Sequence, residues 1–167
     1  MGYQEHRHLA PRSVSCAVLT ISDSRTEQDD ESGKLIRQRL GEAGHSVCHY
    51  ALLRNEPASI RAKIRELAER VDVQVIITSG GTGLSHRDVT VDTVEPMLDK
   101  RLDGFGELFR SLSYQEIGAG SIMSRATAGV IAGKVILCFP GSPGAATLAM
   151  DRIILPEIGH LAREATR

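Results

Sequence analysis

The chain contains no tryptophan and only three phenylalanines and three tyrosines in 167 residues, so aromatic platforms on which nucleobases could stack are scarce. It has no charge excess either: 20 Lys+Arg against 21 Asp+Glu give a net charge of -1. No basic field is available to hold a phosphate backbone by counterion release, and nucleic acid is set aside as a partner. No run approaches the ~18 apolar residues of a membrane span. The opening "MGYQEHRHLAPRS" is charged, lacks the apolar core of a secretory signal, and has no Ser or Thr at the sixth position of a myristoylation signal. Neither a membrane nor a lipid anchor is expected. The three cysteines, Cys16, Cys48 and Cys138, are odd in number, far apart and set in apolar runs such as "SCAVLTI" and "VILCFPG". That pattern predicts buried thiols rather than a disulfide framework, hence a reducing compartment and a cytoplasmic location.

A hydrophobic fraction of 41% and a charged fraction of 25% match ordinary globular chains. A single domain of this length buries roughly two-thirds of its unfolded surface without staples. The expected organisation is a flexible arm over residues 1–13 and one domain over 14–167, with no repeat, linker or low-complexity tract.

"SCAVLTI" reads as a strand buried on both faces, followed by the polar "SDSRTEQDDESG". Leu35, Ile36, Leu40 and Ala43 share a helical face from about Ser32, with Gly44 as the stop. "SVCHYALL" is a second strand. From Pro57, Ile60, Ile64, Leu67 and Ala68 repeat at helical spacing, and "VQVIIT" follows as a third strand. Strand, helix, strand, helix, strand is the order of a parallel sheet covered on both faces by crossovers. "TVDTVEPMLDKRL" and "GFGELFRSLSYQEI" read as helices, with Pro96 at a boundary or kink. "ATAGVIAGKVILCFP" reads as a hairpin turning at Ala132 and Gly133, which adds an antiparallel strand and makes the sheet mixed. The segment from "PGSPGA" onward reads as a closing helix interrupted at Pro156.

Ligands of open α/β sheets bind at the carboxyl ends of the strands, and there the third strand runs into "TSGGTGLSHRDVT". Freed backbone N–H groups at Gly80, Gly81, Thr82 and Gly83 can form an anion-binding nest. Arg87 offers a charge-assisted contact, and Asp88 an oxygen ligand for magnesium. A purely structural turn is the equal alternative. The stretch is not a P-loop, because Gly83 is followed by Leu84 and Ser85 rather than by Lys and a hydroxyl residue. It is not a dinucleotide fingerprint either, since the third glycine is missing and it follows the third strand.

Three further loops share this edge. Ser22, Asp23, Asp30 and Ser32 follow the first strand and could reach the same ligand or form a solvated loop with a helix cap. Asn55, after the second strand, is an N-cap or a ligand. Pro140, Gly141 and Ser142 open a helix whose amides could hold another anion. The histidines form no set suited to zinc or to a catalytic triad; only His86, beside Arg87, lies near this edge.

Taken in order, "LTISDSR", "DDESG", "LLRNEP", "TSGGTGLSHRDVT", "GFGELFRSLS", "SIMSRATAGV" and "PGSPGA" resemble the MogA/MoaB family of molybdenum-cofactor biosynthesis proteins, over nearly the whole chain from Val14. The resemblance implies a three-layer α/β/α domain on a mostly parallel mixed sheet with one antiparallel hairpin strand, assembled as a trimer or hexamer. It implies an adenylyltransferase that uses MgATP to transfer AMP to the terminal phosphate of molybdopterin, releasing pyrophosphate, alongside other molybdenum-cofactor biosynthesis proteins. By match to the family's motifs, Gly80 to Gly83 would cradle phosphate and Asp88 would hold or orient Mg²⁺. Ser124, Arg125 and Ser142 would line the pterin and phosphate side. One departure stands out. Many catalytic relatives have "PDE" where this chain has Arg54, Asn55 and Glu56, and a neutral Asn55 holds Mg²⁺ less strongly than a carboxylate. That substitution implies the alternative of a non-catalytic molybdopterin-binding protein.

Overall fold

The computed structural model describes residues 9–167. Strand β1 (Ser15–Ile21), helix α1 (Glu31–Glu42), strand β2 (Ser46–Leu53), helix α2 (Pro57–Glu69) and strand β3 (Val75–Ser79) follow in the alternating order the sequence predicts. After α3 (Thr90–Val94) come the edge strand β4 (Lys100–Arg101) and α4 (Asp103–Ile117). The hairpin of β5 (Thr127–Ile131) and β6 (Lys134–Phe139), then α5 (Pro143–Ala149) and α6 (Leu155–Ala165), complete the chain.

The six strands lie in the order β2-β1-β3-β6-β5-β4. Parallel pairing joins β2, β1, β3 and β6, while β5 runs antiparallel to both β6 and β4. The central position of β3 explains its unbroken apolar run, because every one of its residues is buried between helical layers. Odd and even positions of the strands feed two separate cores. Val18, Ile77, Leu137 and Phe139 pack with Ile36, Phe109, Ala146 and Ile158 on the face covered by α1, α4, α5 and α6. Leu19, Ile76 and Ile136 pack with Ile60, Ile64 and Leu67 of α2 on the other. Full burial of each such Leu, Ile or Phe side chain is worth about 1.5–3 kcal/mol. The hairpin turns at Ala132 and Gly133, with φ of 48° and 75°, the left-handed pair that a two-residue hairpin needs.

Two expectations are corrected. "TVDTVEPMLDKRL" is helical only through Val94; a 3-10 turn follows at Glu95–Met97, and the chain then joins the sheet edge as β4. Pro96 has no N–H to extend the helix, and the amides of Asp99 and Leu102 instead donate to Val130 and Ala128 carbonyls at 2.8 Å each. The closing helix is not broken at Pro156. A π-helical turn at Met150–Ile154 joins α5 directly to α6, and this wider turn accommodates the proline that follows.

Of the arm expected over residues 1–13, residues 1–8 lie outside the described residues, while Ala10 and Pro11 lie against Gly159 of α6. Among the described residues no helix is long and apolar enough to cross a membrane. The parallel strands bring the loops after Ile21, Leu53, Ser79 and Phe139 to one edge of the sheet.

Candidate functional site at the carboxyl edge of the sheet

The glycine loop leaves β3 with Gly80 and Gly81 at φ of 103° and 67°, a left-handed conformation that L side chains rarely adopt. A Cβ would sit 2.2 Å from the Ile21 carbonyl at Gly80 and 2.2 Å from Thr90 Oγ1 at Gly81. The loop's carbonyls are all engaged by the protein. Gly80 O accepts from Thr90 Oγ1 at 2.8 Å and Gly81 O from Thr90 N at 3.0 Å. Thr82 O accepts from Arg125 N at 3.3 Å and Gly83 O from Arg125 Nε at 2.9 Å. Among the described residues, the N–H groups of Gly81, Thr82 and Gly83 meet no protein acceptor. Consecutive open amides with their carbonyls tied back form a concentration of positive partial charge, as an anion-binding nest requires.

Asp88 closes a tight turn, its N–H donating to Ser85 O at 2.8 Å while its Oδ2 accepts from Ser85 N at 3.1 Å. Its carboxylate lies against Gly83, where an added Cβ would be 2.7 Å from Oδ2. No group of three or more His, Cys, Asp or Glu gathers for a metal among the described residues. The oxygen donors near the loop nonetheless suit magnesium, which binds through one or two protein ligands together with substrate phosphates. Asn55 Oδ1 is buried with no hydrogen-bond partner, 2.6 Å from where a Cβ at Gly81 would be. An orphaned acceptor of this kind leaves a desolvation cost that a bound donor or cation relieves.

Two depressions flank the loop. One, of about 400 Å³, is lined by Asp23, Arg54, Asn55, Glu56, His86 and Arg87. Asp23 ties its walls together: Oδ1 accepts from Asn55 N at 3.0 Å, and Oδ2 lies 3.9 Å from Arg87 Nε. The hydrogen bond from the Asn55 amide, aided by the charges of Arg87 and Arg54, holds the Asp23 carboxyl below the usual range. The other depression, of about 300 Å³, is lined by polar Thr82, Ser113, Glu116, Ser121, Ser124 and Ser142 and by apolar Phe109, Ile117, Met123, Pro140 and Leu148. Such a mixed lining suits a ligand with both an apolar and a polar part.

Not every residue singled out from the sequence is free to meet a ligand. Asp30 is fully buried and caps α1, its Oδ1 accepting from Gly33 N at 3.0 Å and its Oδ2 from Tyr50 OH at 2.6 Å. Burial raises its pKa; these donors, with the nearby Thr20 hydroxyl and Arg25 guanidinium, more than offset that and leave it lowered. Ser22 Oγ accepts from Ser24 and Arg25 amides, and Ser32 Oγ donates to Gly141 O at 2.7 Å. Asp30, Ser22 and Ser32 thus shape the edge. Ser142 Oγ accepts from Ala145 N as the cap of α5, and Ser124 Oγ from Ala126 N. Arg125 is consumed by Gly83, Asp88 and Asp92. Sequence reasoning passed over Arg25, whose Nη1 donates to Gly141 O across 116 positions at 2.9 Å, and Thr90, which ties back two loop carbonyls. Nothing local marks Arg25, whereas Thr90 ends the stretch "HRDVT".

Comparison with known proteins bears on this edge. A family described as "Probable molybdopterin binding domain" matches residues 17–160. The chain is similar to proteins called "Molybdenum cofactor biosynthesis protein B": 46% identical to that of Bacillus cereus, over all of this chain and 99% of the relative. It is 49% identical to that of Halalkalibacterium halodurans, over 98% and 97%. A crystal structure of a molybdenum cofactor biosynthesis protein B superposes with a TM-score of 0.90 at 47% identity, covering 93% of this chain and 98% of that one. The tungsten cofactor synthesizing protein MoaB from Pyrococcus furiosus superposes at 0.83 with 34% identity, over 95% and 100%.

Proposed function

Since the chain belongs to the family of molybdopterin-binding domains of molybdenum-cofactor biosynthesis, we propose that it transfers AMP from MgATP to the terminal phosphate of molybdopterin. The observation that carries this reading is the row of open amides at Gly81, Thr82 and Gly83 between two depressions of unlike character. In the transfer a phosphate oxygen of molybdopterin bonds to the α-phosphorus of ATP as the bond to the β-phosphate oxygen breaks, releasing pyrophosphate. Both reactants are anions, so the protein's work is to hold them in line and offset their repulsion.

The loop amides would take phosphoryl oxygens, and the half-apolar depression beside Phe109 and Met123 the pterin. Arg87, whose side chain is 72% exposed, is able to swing from Asp23 onto the departing pyrophosphate. Asp88 and the Asn55 Oδ1 would hold magnesium, which supplies charge neutralisation of the phosphates when bound. The reading includes a cytoplasmic setting, self-assembly as a trimer or hexamer, and hand-over of the product to other proteins of cofactor biosynthesis. The neutral Asn55 favours a second reading, in which molybdopterin is bound without turnover. Purified protein given molybdopterin, ATP and Mg²⁺ decides between them: pyrophosphate and adenylylated pterin are expected. Neither product, under conditions where an established transferase turns over, refutes catalysis; retained molybdopterin binding would then support the second reading.

A further inference from the structure

We propose that Arg125, fixed by Asp92, is the positioning residue that orients the glycine loop and Asp88; its link to catalysis rests on the function proposed above. Each peptide unit is planar, so fixing a carbonyl also fixes the direction of the next residue's N–H. Thr90 holds the carbonyls of Gly80 and Gly81 and thereby aims the amides of Gly81 and Thr82. Arg125 does the same for the second half of the loop. Its own N–H holds Thr82 O, aiming the Gly83 amide, and its Nε holds Gly83 O at 2.9 Å, aiming that of Leu84. Its Nη2 reaches Asp88 O at 3.1 Å, so one guanidinium ties the two ends of the turn that presents the Asp88 carboxylate.

The far edge of the guanidinium is itself held. Asp92 accepts from Nη1 at 3.0 Å and from Nη2 at 2.9 Å, a two-pronged pair of fixed geometry. With Nε and both terminal nitrogens engaged by the protein, Arg125 acts on a ligand through the loop rather than by touching it. The charge also polarises the carbonyls it meets, which strengthens the adjoining N–H groups as donors. A lysine at this position keeps the charge but has no planar fork, and it cannot span Gly83, Asp88 and Asp92 together.

The test compares the full-length protein with Arg125→Lys and Asp92→Asn, measuring steady-state kinetics and hydrogen exchange at the bonded amides of Ser85, Asp88 and Thr90. Arg125→Lys is expected to lower kcat about a hundredfold, the scale of a misplacement near 1 Å. KM for MgATP and for molybdopterin should stay within about threefold, since the interaction lost is not a ligand contact. Asp92→Asn, which keeps one acceptor for the guanidinium but loses the second prong and the charge, is expected to lower kcat by about tenfold and serves if the first variant does not fold. Both should speed exchange at these three amides and leave β1, β3 and β6 as protected as before. Unchanged kcat in Arg125→Lys, or raised KM with kcat preserved, overturns the proposal, the latter by showing a direct ligand contact. Should the unmodified protein show no turnover, the functional reading fails and exchange alone decides: unaltered protection of the Ser85, Asp88 and Thr90 amides in both variants refutes the positioning role, and faster exchange confined to them upholds it.

Discussion

Gly83→Ala places a methyl group 2.7 Å from Asp88 Oδ2 and 3.1 Å from its Cγ. Gly83 is outside the left-handed region, so the backbone accepts alanine and only the carboxylate must yield. To restore ordinary contact at 3.4 Å, Oδ2 has to retreat by about 0.7 Å. That movement weakens or breaks its hydrogen bond with Ser85 N, at a cost of about 1 kcal/mol for an exposed turn. For a domain of this size the loss lowers Tm by only about 2–4 °C. Activity should suffer far more if Asp88 holds the metal in the proposed transfer, because a displacement of that size costs up to about a hundredfold in kcat. Pyrophosphate release under saturating MgATP and molybdopterin, read beside a thermal melt, separates the two effects. Gly41→Ala is the control: nothing lies within 4 Å of its Cβ, and alanine within α1 should stabilise by about 0.5–1 kcal/mol without altering turnover. Wild-type kcat and KM in Gly83→Ala, with the expected small fall in Tm, would refute the role given to Asp88.

Asn55→Asp turns a buried, unpaired neutral acceptor into a charged one, and should tighten magnesium about tenfold, seen as a Mg²⁺-dependent gain in Tm and a higher kcat. Without Mg²⁺ the same variant should melt lower, because Asp23 then faces a second carboxylate. Asp30, whose pKa is lowered in the folded state, contributes stability that is complete above about pH 4 and is lost as pH falls through that lower value. Asp30→Asn should therefore flatten the acid side of a Tm-against-pH curve and lower Tm at pH 7; an unchanged acid slope would show that the cap does not titrate there. Burial pushes the thiols of Cys16 and Cys138 up to about 12, so a thiol reagent at pH 8 should modify them only when denaturant opens the core.

The elements most legible in the sequence are those written as a compact apolar run between polar stretches or as apolar residues at helical spacing. Ser15–Ile21 and Ser46–Leu53 are strands over the full runs "SCAVLTI" and "SVCHYALL", and Pro57 does open a helix. The glycine loop was legible as a feature at the ligand edge because Gly80 and Gly81 adopt a conformation that other residues resist. Edge strand β4 was not, since two residues carry no period and pair only because β5 is already in place. At the site, residue type suggested ligands where the fold needed caps and struts. Asp30 and Ser32 have polar groups fit for a ligand; the Asp30 cap on Gly33 is local and legible, but the bonds to Tyr50 and Gly141 depend on packing across 20 and 109 positions. Arg125 has the charge of an anion ligand, yet its guanidinium is bonded to Gly83, Asp88 and Asp92, which no local pattern announces.

The pairing of β3 with β6 sets when the candidate site comes into being as well as where. Gly80 N donates to Phe139 O at 2.9 Å, Arg25 reaches Gly141, and Arg125 closes the glycine loop. Each of these contacts waits for residues beyond Ser124, and contacts so distant in sequence form late. A nascent chain that has emerged only through α3 already contains "TSGGTGLSHRDVT" and, within it, the Thr90 that holds the Gly80 and Gly81 carbonyls, but not the Arg125 that holds those of Thr82 and Gly83. The candidate site therefore takes shape only with the last third of the chain, so under the proposed function a partly made protein has no formed pocket for the pterin.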